Sequence, residues 1–238
     1  MGHLNDEFYR KTRARLVVFA PNSVDDVRFS EASSVGRSGL LGKWGLSDDR
    51  PVILFCGKLV PRKRPLDLAQ AVKRLDHDIT TIFAGDGSLA DAVRDSLPPE
   101  HAVVTGFVNQ SELPMYYQAA DILVLPSSIE TWGLVVNEAM AAGTLPVVSD
   151  TVGCASDLVE GVGEIYPSGN VTELAAALGR AVTRLADPGL RDRVRQHAAA
   201  YRLERTAAGY EEAALAVARS RGGHKSAATA RRAYRSGA

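Results

Sequence analysis

From Pro51 onward, short apolar runs alternate with segments of helical length, and this alternation constrains the fold more than any other feature. The runs fall at 52–56, 79–84, 102–105, 121–125 and 145–148, and the helical segments at about 64–76, 88–96, 111–119, 133–142 and 171–186. Strands alternating with helices of this length predict βαβ units: an α/β, Rossmann-like parallel sheet with helices on both faces. Two further helices are expected at about 190–200 and 204–219. Before Pro51, residues 31–50 read as a linker with a short helix around Gly39–Trp44. Residues 1–30 hold a basic helical turn (Phe8 to Arg15), a short apolar strand Leu16–Phe19 and a Pro21-Asn-Ser-Val-Asp25 turn. The last 18 residues carry five Lys or Arg, no acid and little that is large and apolar. They are expected to be a disordered basic tail over 221–238.

Chemistry concentrates in Ser127-Ser-Ile-Glu-Thr-Trp-Gly-Leu-Val-Val-Asn-Glu-Ala-Met-Ala-Ala-Gly143. Glu130 and Glu138 are separated by seven residues, straight after the apolar run Ile122–Leu125. A strand feeding a helix whose first turn is Thr131-Trp132-Gly133 presents unpaired N–H groups at the end of a sheet. Free donors and the positive end of the helix dipole coincide there, which suits a phosphate. Glu138 lies one turn inside the same helix and can face the same mouth. A diphosphate on the amides, with carboxylates gripping hydroxyls nearby, describes a nucleotide-sugar site. Two glutamates near a helix start are also common on plain surfaces; the surrounding pattern favours the site.

Further motifs follow one another along the chain: Gly57-Lys-Leu-Val-Pro-Arg-Lys63-Arg-Pro after the first strand, Ala84-Gly-Asp-Gly87, Gly106-Phe-Val108, Tyr117-Gln-Ala-Ala-Asp121 and Leu125-Pro-Ser127. With the Glu-x7-Glu pair, this series resembles the donor-binding C-terminal half of GT-B glycosyltransferases, in particular the large family 4 of retaining enzymes. The resemblance covers residues about 17 to 215. It implies that Glu130 contacts the transferred sugar and Glu138 the ribose, while the amides of Gly133, Leu134 and Val135 hold the diphosphate. Lys58 and Lys63 would stabilise the leaving diphosphate, as fixed cations do where negative charge develops. Lys58 stands where the family often has arginine, which keeps the charge and gives up the bidentate fork. Gly57, Gly85, Thr131 and Trp132 complete the donor set. Phe107, Val108 and Leu113 are expected against the nucleobase, though Phe107 and Leu113 serve equally well as core residues.

By the same resemblance, catalysis is a retaining hexosyl transfer from a nucleoside-diphosphate sugar, with no cofactor and no metal. The implied domains are 1–30, a remnant of an N-terminal domain and crossover; 31–50, a linker; 51–220, the nucleotide-sugar-binding domain; and 221–238, the tail. The implied partner is the absent acceptor-binding N-terminal domain, fused or as a separate subunit. Two alternatives stay open: a nucleotide-sugar-binding subunit active only beside another chain, and an inactive fragment. A Rossmann dehydrogenase is disfavoured, because Gly85-Asp-Gly-Ser-Leu-Ala90 follows the second strand and no acid near residue 105 would grip a ribose.

Composition narrows the remaining classes. Lys and Arg number 28 against 28 Asp and Glu, so no global charge points to nucleic acid. The two cysteines, Cys56 and Cys154, offer no disulfide framework, and a cytoplasmic setting is expected. The basic tail reads as a solvated end, with peripheral attachment at the inner membrane as its alternative. Asp76-His-Asp78 imitates a metal-binding Asp-x-Asp but precedes a strand, and the histidines are scattered at 3, 77, 101, 197 and 224.

Overall fold

The computed structural model describes residues 3–235 apart from 13, 15, 32, 33 and 77, with side chains described between 6 and 219. Along the chain the strands are β1 (Val52–Cys56), β2 (Thr80–Ala84), β3 (Ala102–Gly106), β4 (Ile122–Leu125), β5 (Leu145–Ser149) and β6 (Glu164–Tyr166). The helices are α1 (His3–Lys11), α2 (Asp26–Ser30), α3 (Gly36–Gly42), α4 (Pro65–Val72), α5 (Ala90–Arg94), α6 (Leu113–Ala119), α7 (Leu134–Ala141), α8 (Val171–Arg184), α9 (Leu190–Ala198) and α10 (Leu203–Arg235). The chain forms two compact units: Ser23–Arg202, and a smaller one made by the chain up to Asn22 with the chain from Leu203.

The larger unit is a six-stranded, all-parallel sheet in the order β3-β2-β1-β4-β5-β6. Every residue of β1, β2, β4 and β5 is buried, as strands covered on both faces must be, while β3 at one edge is only half-buried. Helix α4 packs against α5 and α8, while α6 packs against α2 and α3, α7 against α2 and α9, and α6 against α7. Each helix reads locally. Pro65 opens α4 at a position whose N–H would be unsatisfied anyway. Asn170 caps α8 by accepting from the N–H of Glu173 at 3.1 Å. Leu174, Ala177, Leu178 and Ala181 then form the buried stripe of α8 at helical spacing.

Three expectations meet a different arrangement. Residues 31–50 are no linker: Leu40 and Leu41 of α3 are fully buried and Leu46 nearly so, within the main core. Arg37 fixes the segment further, because its guanidinium donates to Asp121 at 2.7 Å and to the Ala119 carbonyl at 3.2 Å. The sheet also has one strand more than the sequence suggests, since the three residues of β6 are too few to register as an apolar run. Finally, Leu16–Phe19 forms no strand.

In the smaller unit, Leu16–Phe19 leads instead into Pro21, whose carbonyl accepts from the Thr206 hydroxyl of α10 at 2.7 Å. A Cβ at Gly209 would lie 2.4 Å from the Phe19 carbonyl oxygen, so the helix needs glycine where the segment passes. The expected basic turn at 8–15 is α1, ending at Lys11 and carrying ion pairs Arg10–Asp6 and Lys11–Glu7, both at 2.7 Å. Where a disordered tail is expected from 221, α10 continues to Arg235. A lack of large apolar residues removes burial as a reason for structure, but alanine and arginine remain strong helix formers. Residues 236–238 lie outside the described residues, as does His77 of Asp76-His-Asp78; Asp78 pairs with Arg50 at 2.8 Å and His101 at 3.2 Å.

Asp121, just before β4, ties the base of the sheet. Its carboxylate accepts from the Val52 N–H at 2.9 Å, from Arg37 at 2.7 Å and from Arg191 at 2.9 Å. Asp121→Ala would leave two guanidinium groups with backbone carbonyls but no carboxylate, and a strand-end amide without its acceptor. We expect a loss of about 3 kcal/mol of stability in urea unfolding, with Asp121→Asn losing less because it retains an acceptor for Val52.

Candidate active site

The sheet order reverses direction between β1 and β4, so the loops leaving their carboxyl ends diverge and open a crevice, where ligands of open α/β sheets bind. A cleft of about 830 Å³ lies there. Its floor is Cys56, Gly57 and Lys58 at the end of β1, with Ala84, Gly85, Asp86 and Gly87 at the end of β2. Phe107, Val108 and Leu113 form one wall, and Val135 and Glu138 of α7 stand opposite. Phe107 is 84% exposed and Leu113 half-buried, so both border the cleft rather than fill the core.

Gly85 shows why this floor is open. A Cβ there would meet the Gly57 carbonyl oxygen at 1.9 Å, and one at Gly87 the Leu59 carbonyl oxygen at 2.4 Å. The two loops run side by side through Gly57 N–H to Ala84 O at 3.0 Å and Leu59 N–H to Asp86 O at 2.9 Å. Gly85-Asp-Gly87 is therefore a close backbone approach between neighbouring loops.

The turn before α7 is set by a second pair of loops. Glu130 bridges Val152 in parallel; its carbonyl accepts from Gly153 at 2.9 Å and that of Trp132 from Cys154 at 3.0 Å. These bonds engage the Glu130 and Trp132 carbonyls outside the helix, so α7 begins at Leu134 rather than at Thr131 as the sequence suggests. Gly133, at φ 100°, makes the left-handed turn into the helix, a conformation that glycine adopts without strain. The N–H groups of Gly133, Leu134 and Val135 find no acceptor among the described residues.

Trp132 departs from its expected role. Its ring is buried beside Tyr201, with centroids 6.0 Å apart, and its indole N–H donates to Asn137 at 2.8 Å. Its side chain belongs to the core and is closed to a ligand. Thr131 and Leu134 are exposed, and neither lines the cleft. For Gly133 and Leu134 the backbone is what the site can use.

The charged groups divide between the rim and the base of α7. Lys63 and Glu130 form an ion pair in which each side chain is less than a fifth exposed. Ser128 draws their two loops together, since its N–H and hydroxyl both donate to the Arg62 carbonyl, at 2.8 and 3.1 Å. Lys58 lines the cleft and has no carboxylate partner among the described residues. Glu138 accepts from the Tyr117 hydroxyl at 2.6 Å. Burial pushes the Glu138 carboxyl up from its ordinary value, opposed by the Tyr117 hydrogen bond and by the Arg28 charge. Among the described residues, no three His, Cys, Asp or Glu side chains group to hold a metal ion.

The site thus gathers Gly57, Lys58, Gly85, Phe107, Val108, Leu113, Val135 and Glu138 into one cleft, with Lys63 and Glu130 paired nearby. Sequence reasoning missed Cys56, Ala84, Asp86 and Gly87 as lining, although the last three stand inside a motif already singled out and Cys56 directly precedes another. It also missed the hydroxyl of Tyr117, because its contact with Glu138 joins positions 21 residues apart.

Comparison with known proteins decides the family. The model for glycosyl transferases group 1 matches residues 40–201. The chain belongs to this family. Among its relatives, the 2-deoxystreptamine glucosyltransferase of Streptomyces kanamyceticus is 34% identical over 179 residues, covering 70% of this chain and 45% of that protein. This chain spans less than half the length of the curated group 1 relatives it matches. The sheet and its helices match the sucrose-phosphate synthase of Thermosynechococcus elongatus at a TM-score of 0.73 and 22% identity, covering 92% of this chain and 58% of that one. They match Anabaena HepE in complex with UDP-glucose at 0.70 and 20% identity, covering 90% and 62%. The fold is the Rossmann-like α/β architecture of GT-B glycosyltransferases. Among the described residues, no helix is long and apolar enough to cross a membrane.

The state of Glu138 has a measurable consequence. Its carboxyl value in the folded chain lies above the unfolded one, so its contribution to stability is fully present at low pH and is lost as pH rises through the folded value. The stability of the parent relative to Glu138→Gln should therefore fall as pH rises through a range above that of ordinary glutamates. Urea unfolding of both chains across pH 4 to 8 checks this; a difference that does not change with pH would contradict it.

Proposed function

We propose that this chain is the donor-binding, C-terminal half of a retaining family 4 glycosyltransferase, which moves a hexose from a nucleoside-diphosphate sugar to an acceptor hydroxyl. The observation that carries the reading is that one crevice at the strand ends is lined by an apolar wall, the half-buried Glu138 carboxylate and Val135 of a helix start whose first amides, those of Gly133, Leu134 and Val135, find no acceptor among the described residues. The nucleobase lies against Val108 and Leu113, with Phe107 at the mouth. The ribose hydroxyls donate to Glu138. The diphosphate sits on the amides of Gly133, Leu134 and Val135, where the helix dipole adds to the hydrogen bonds. HepE, of the same fold, has been crystallised with UDP and with UDP-glucose, which makes uridine nucleotides the first to try.

In the transfer step, the bond between the anomeric carbon and the diphosphate breaks and negative charge grows on the leaving oxygen. Lys58 and Lys63 meet that charge. The acceptor hydroxyl attacks the face the phosphate vacates, and the phosphate takes its proton, which gives retention without a protein nucleophile. Lys63 must first exchange its bond to Glu130 for one to the distal phosphate, and the same exchange frees Glu130 to accept from the sugar hydroxyls. Acceptor recognition and exclusion of water belong to the other half of such an enzyme, joined to this chain or supplied as a separate one.

Three measurements test the reading. Calorimetry against UDP, ADP and GDP should find one nucleoside diphosphate that binds, and Glu138→Ala should weaken it by about 2 kcal/mol, the scale of lost charge-assisted hydrogen bonds. Unchanged affinity with an intact circular dichroism spectrum would refute the ribose role. Lys58→Ala and Lys63→Ala should weaken the diphosphate far more than the monophosphate, with the difference shrinking at high salt; equal losses would place the lysines elsewhere. The isolated 238-residue chain should bind a nucleotide sugar without transferring it, and adding the acceptor half should restore turnover. Turnover by the purified chain alone would overturn the division of labour.

A further inference from the structure

Tyr117 is fully buried in α6, edge-on to Phe29 with centroids 5.7 Å apart, and does not line the cleft. Only its hydroxyl reaches the site, from the core side. There it donates to Glu138 Oε2 at 2.6 Å and lies 3.4 Å from Cys56 Sγ. Both partners line the cleft, so the hydroxyl stands directly behind its floor. Glu138 Oε1 receives no hydrogen bond from the described residues, and Glu138 itself lines the cleft.

We propose that Tyr117 is the positioning residue for Glu138, anchoring one carboxylate oxygen from the core so that the other is presented to the vicinal hydroxyls of a bound ribose. The proposal rests on the cleft being a nucleotide site. A phenol suits the task better than a cation. A lysine or arginine behind Glu138 would neutralise the charge that makes it a strong acceptor, whereas a phenol orients the carboxylate and leaves the charge in place. Burial pushes the Tyr117 hydroxyl well above its ordinary value, so it stays protonated and remains a donor throughout the working range.

The groups facing Glu138 are Tyr117 from α6, Cys56 from the end of β1 and Arg28 from α2, with Lys58 on the same cleft lining. The Cys56 thiol, pushed up to about 11, is neutral alongside it. Tyr117 and Arg28 work against the burial that favours protonated Glu138. Removing the hydroxyl leaves Arg28 alone in that role, so Glu138 should protonate at higher pH.

The test uses the tightest-binding nucleoside diphosphate of the UDP, ADP and GDP panel and its 2′,3′-dideoxy counterpart, by calorimetry. Tyr117→Phe should weaken the ribonucleotide roughly tenfold, the loss of one charge-assisted hydrogen bond's worth of orientation, and leave the dideoxynucleotide unchanged. It should have no further effect in a Glu138→Gln background. The acid limb of nucleotide-sugar binding, read with a ligand whose bridging diphosphate keeps its charge, should move to higher pH. Replacement of Tyr117 by 3-fluorotyrosine, nearly identical in volume and a stronger donor, should move that limb the other way. This second variant serves if the phenylalanine chain folds poorly. Equal losses for both nucleotides, no loss at all, or a limb that neither variant moves would overturn the positioning role. If instead the parent does not distinguish ribose from dideoxyribose, or Glu138→Gln changes nothing, the donor-site reading itself fails and the proposal falls with it.

Discussion

The cleft depends on two backbones approaching more closely than side chains permit. Where β1 and β2 end, Gly57 and Gly85 lie so near that a single methyl group on Gly85 would penetrate the Gly57 carbonyl. That approach lets Gly57 N–H and Leu59 N–H continue the pairing of the strands into their loops. The loops then form a continuous floor and leave the space above it open. A side chain at Gly85 or Gly87 would force the loops apart, and Lys58 and Asp86 would no longer share one lining. The apolar wall is less demanding, since it asks only for apolar surface, whereas the floor asks for glycine at two fixed positions, 85 and 87.

A second constraint joins the halves of the sheet. The loops after β1 and β4 leave on either side of the order reversal, and nothing in strand pairing holds them to each other. Ser128 does so with two hydrogen bonds to one carbonyl, that of Arg62. The neighbouring residues, Lys63 and Glu130, are thereby brought within ion-pair distance although they are 67 positions apart. A pair so shielded from water is worth more than one on an open surface, but it also requires both charges to give up hydration. It is therefore a contact that a ligand carrying both an anion and hydroxyl donors can replace without leaving either charge unmet.

Much of this was legible in the sequence because it is written in local pattern. Five of the six strands are apolar runs, and the crossover helices sit between them at their expected places. The resemblance carried the site further than pattern alone, and eight of the fourteen residues it named line one cavity. What was not legible depends on contacts distant in sequence. The short β6 is a strand only because β5 lies beside it. The segment 31–50 looks like a linker until Arg37 meets Asp121, 84 positions later. Trp132 looks like a ligand-binding aromatic until Asn137 and Tyr201 enclose it. The start of α7 shifted for the same reason, since the carbonyls of Glu130 and Trp132 were already engaged by the loop at 152–154.

The two glutamates that first drew attention end in unlike environments, and the difference suits unlike tasks. Glu130 is held by an ammonium group on a long, flexible stem, and Glu138 by a phenol fixed in the core. An ammonium can swing to a new anion and leave its carboxylate free, because the exchange conserves charge on both sides. A buried phenol has no such freedom, since its ring fills space against Phe29 that nothing else would occupy. On the donor reading, then, the nucleoside meets a carboxylate already in place, and the diphosphate and sugar meet a pair that must open. Recognition of the constant part of the ligand would draw on the rigid half of the site. The half that rearranges would be the one next to the bond that breaks, where a group able to move between ground state and transition state is of most use.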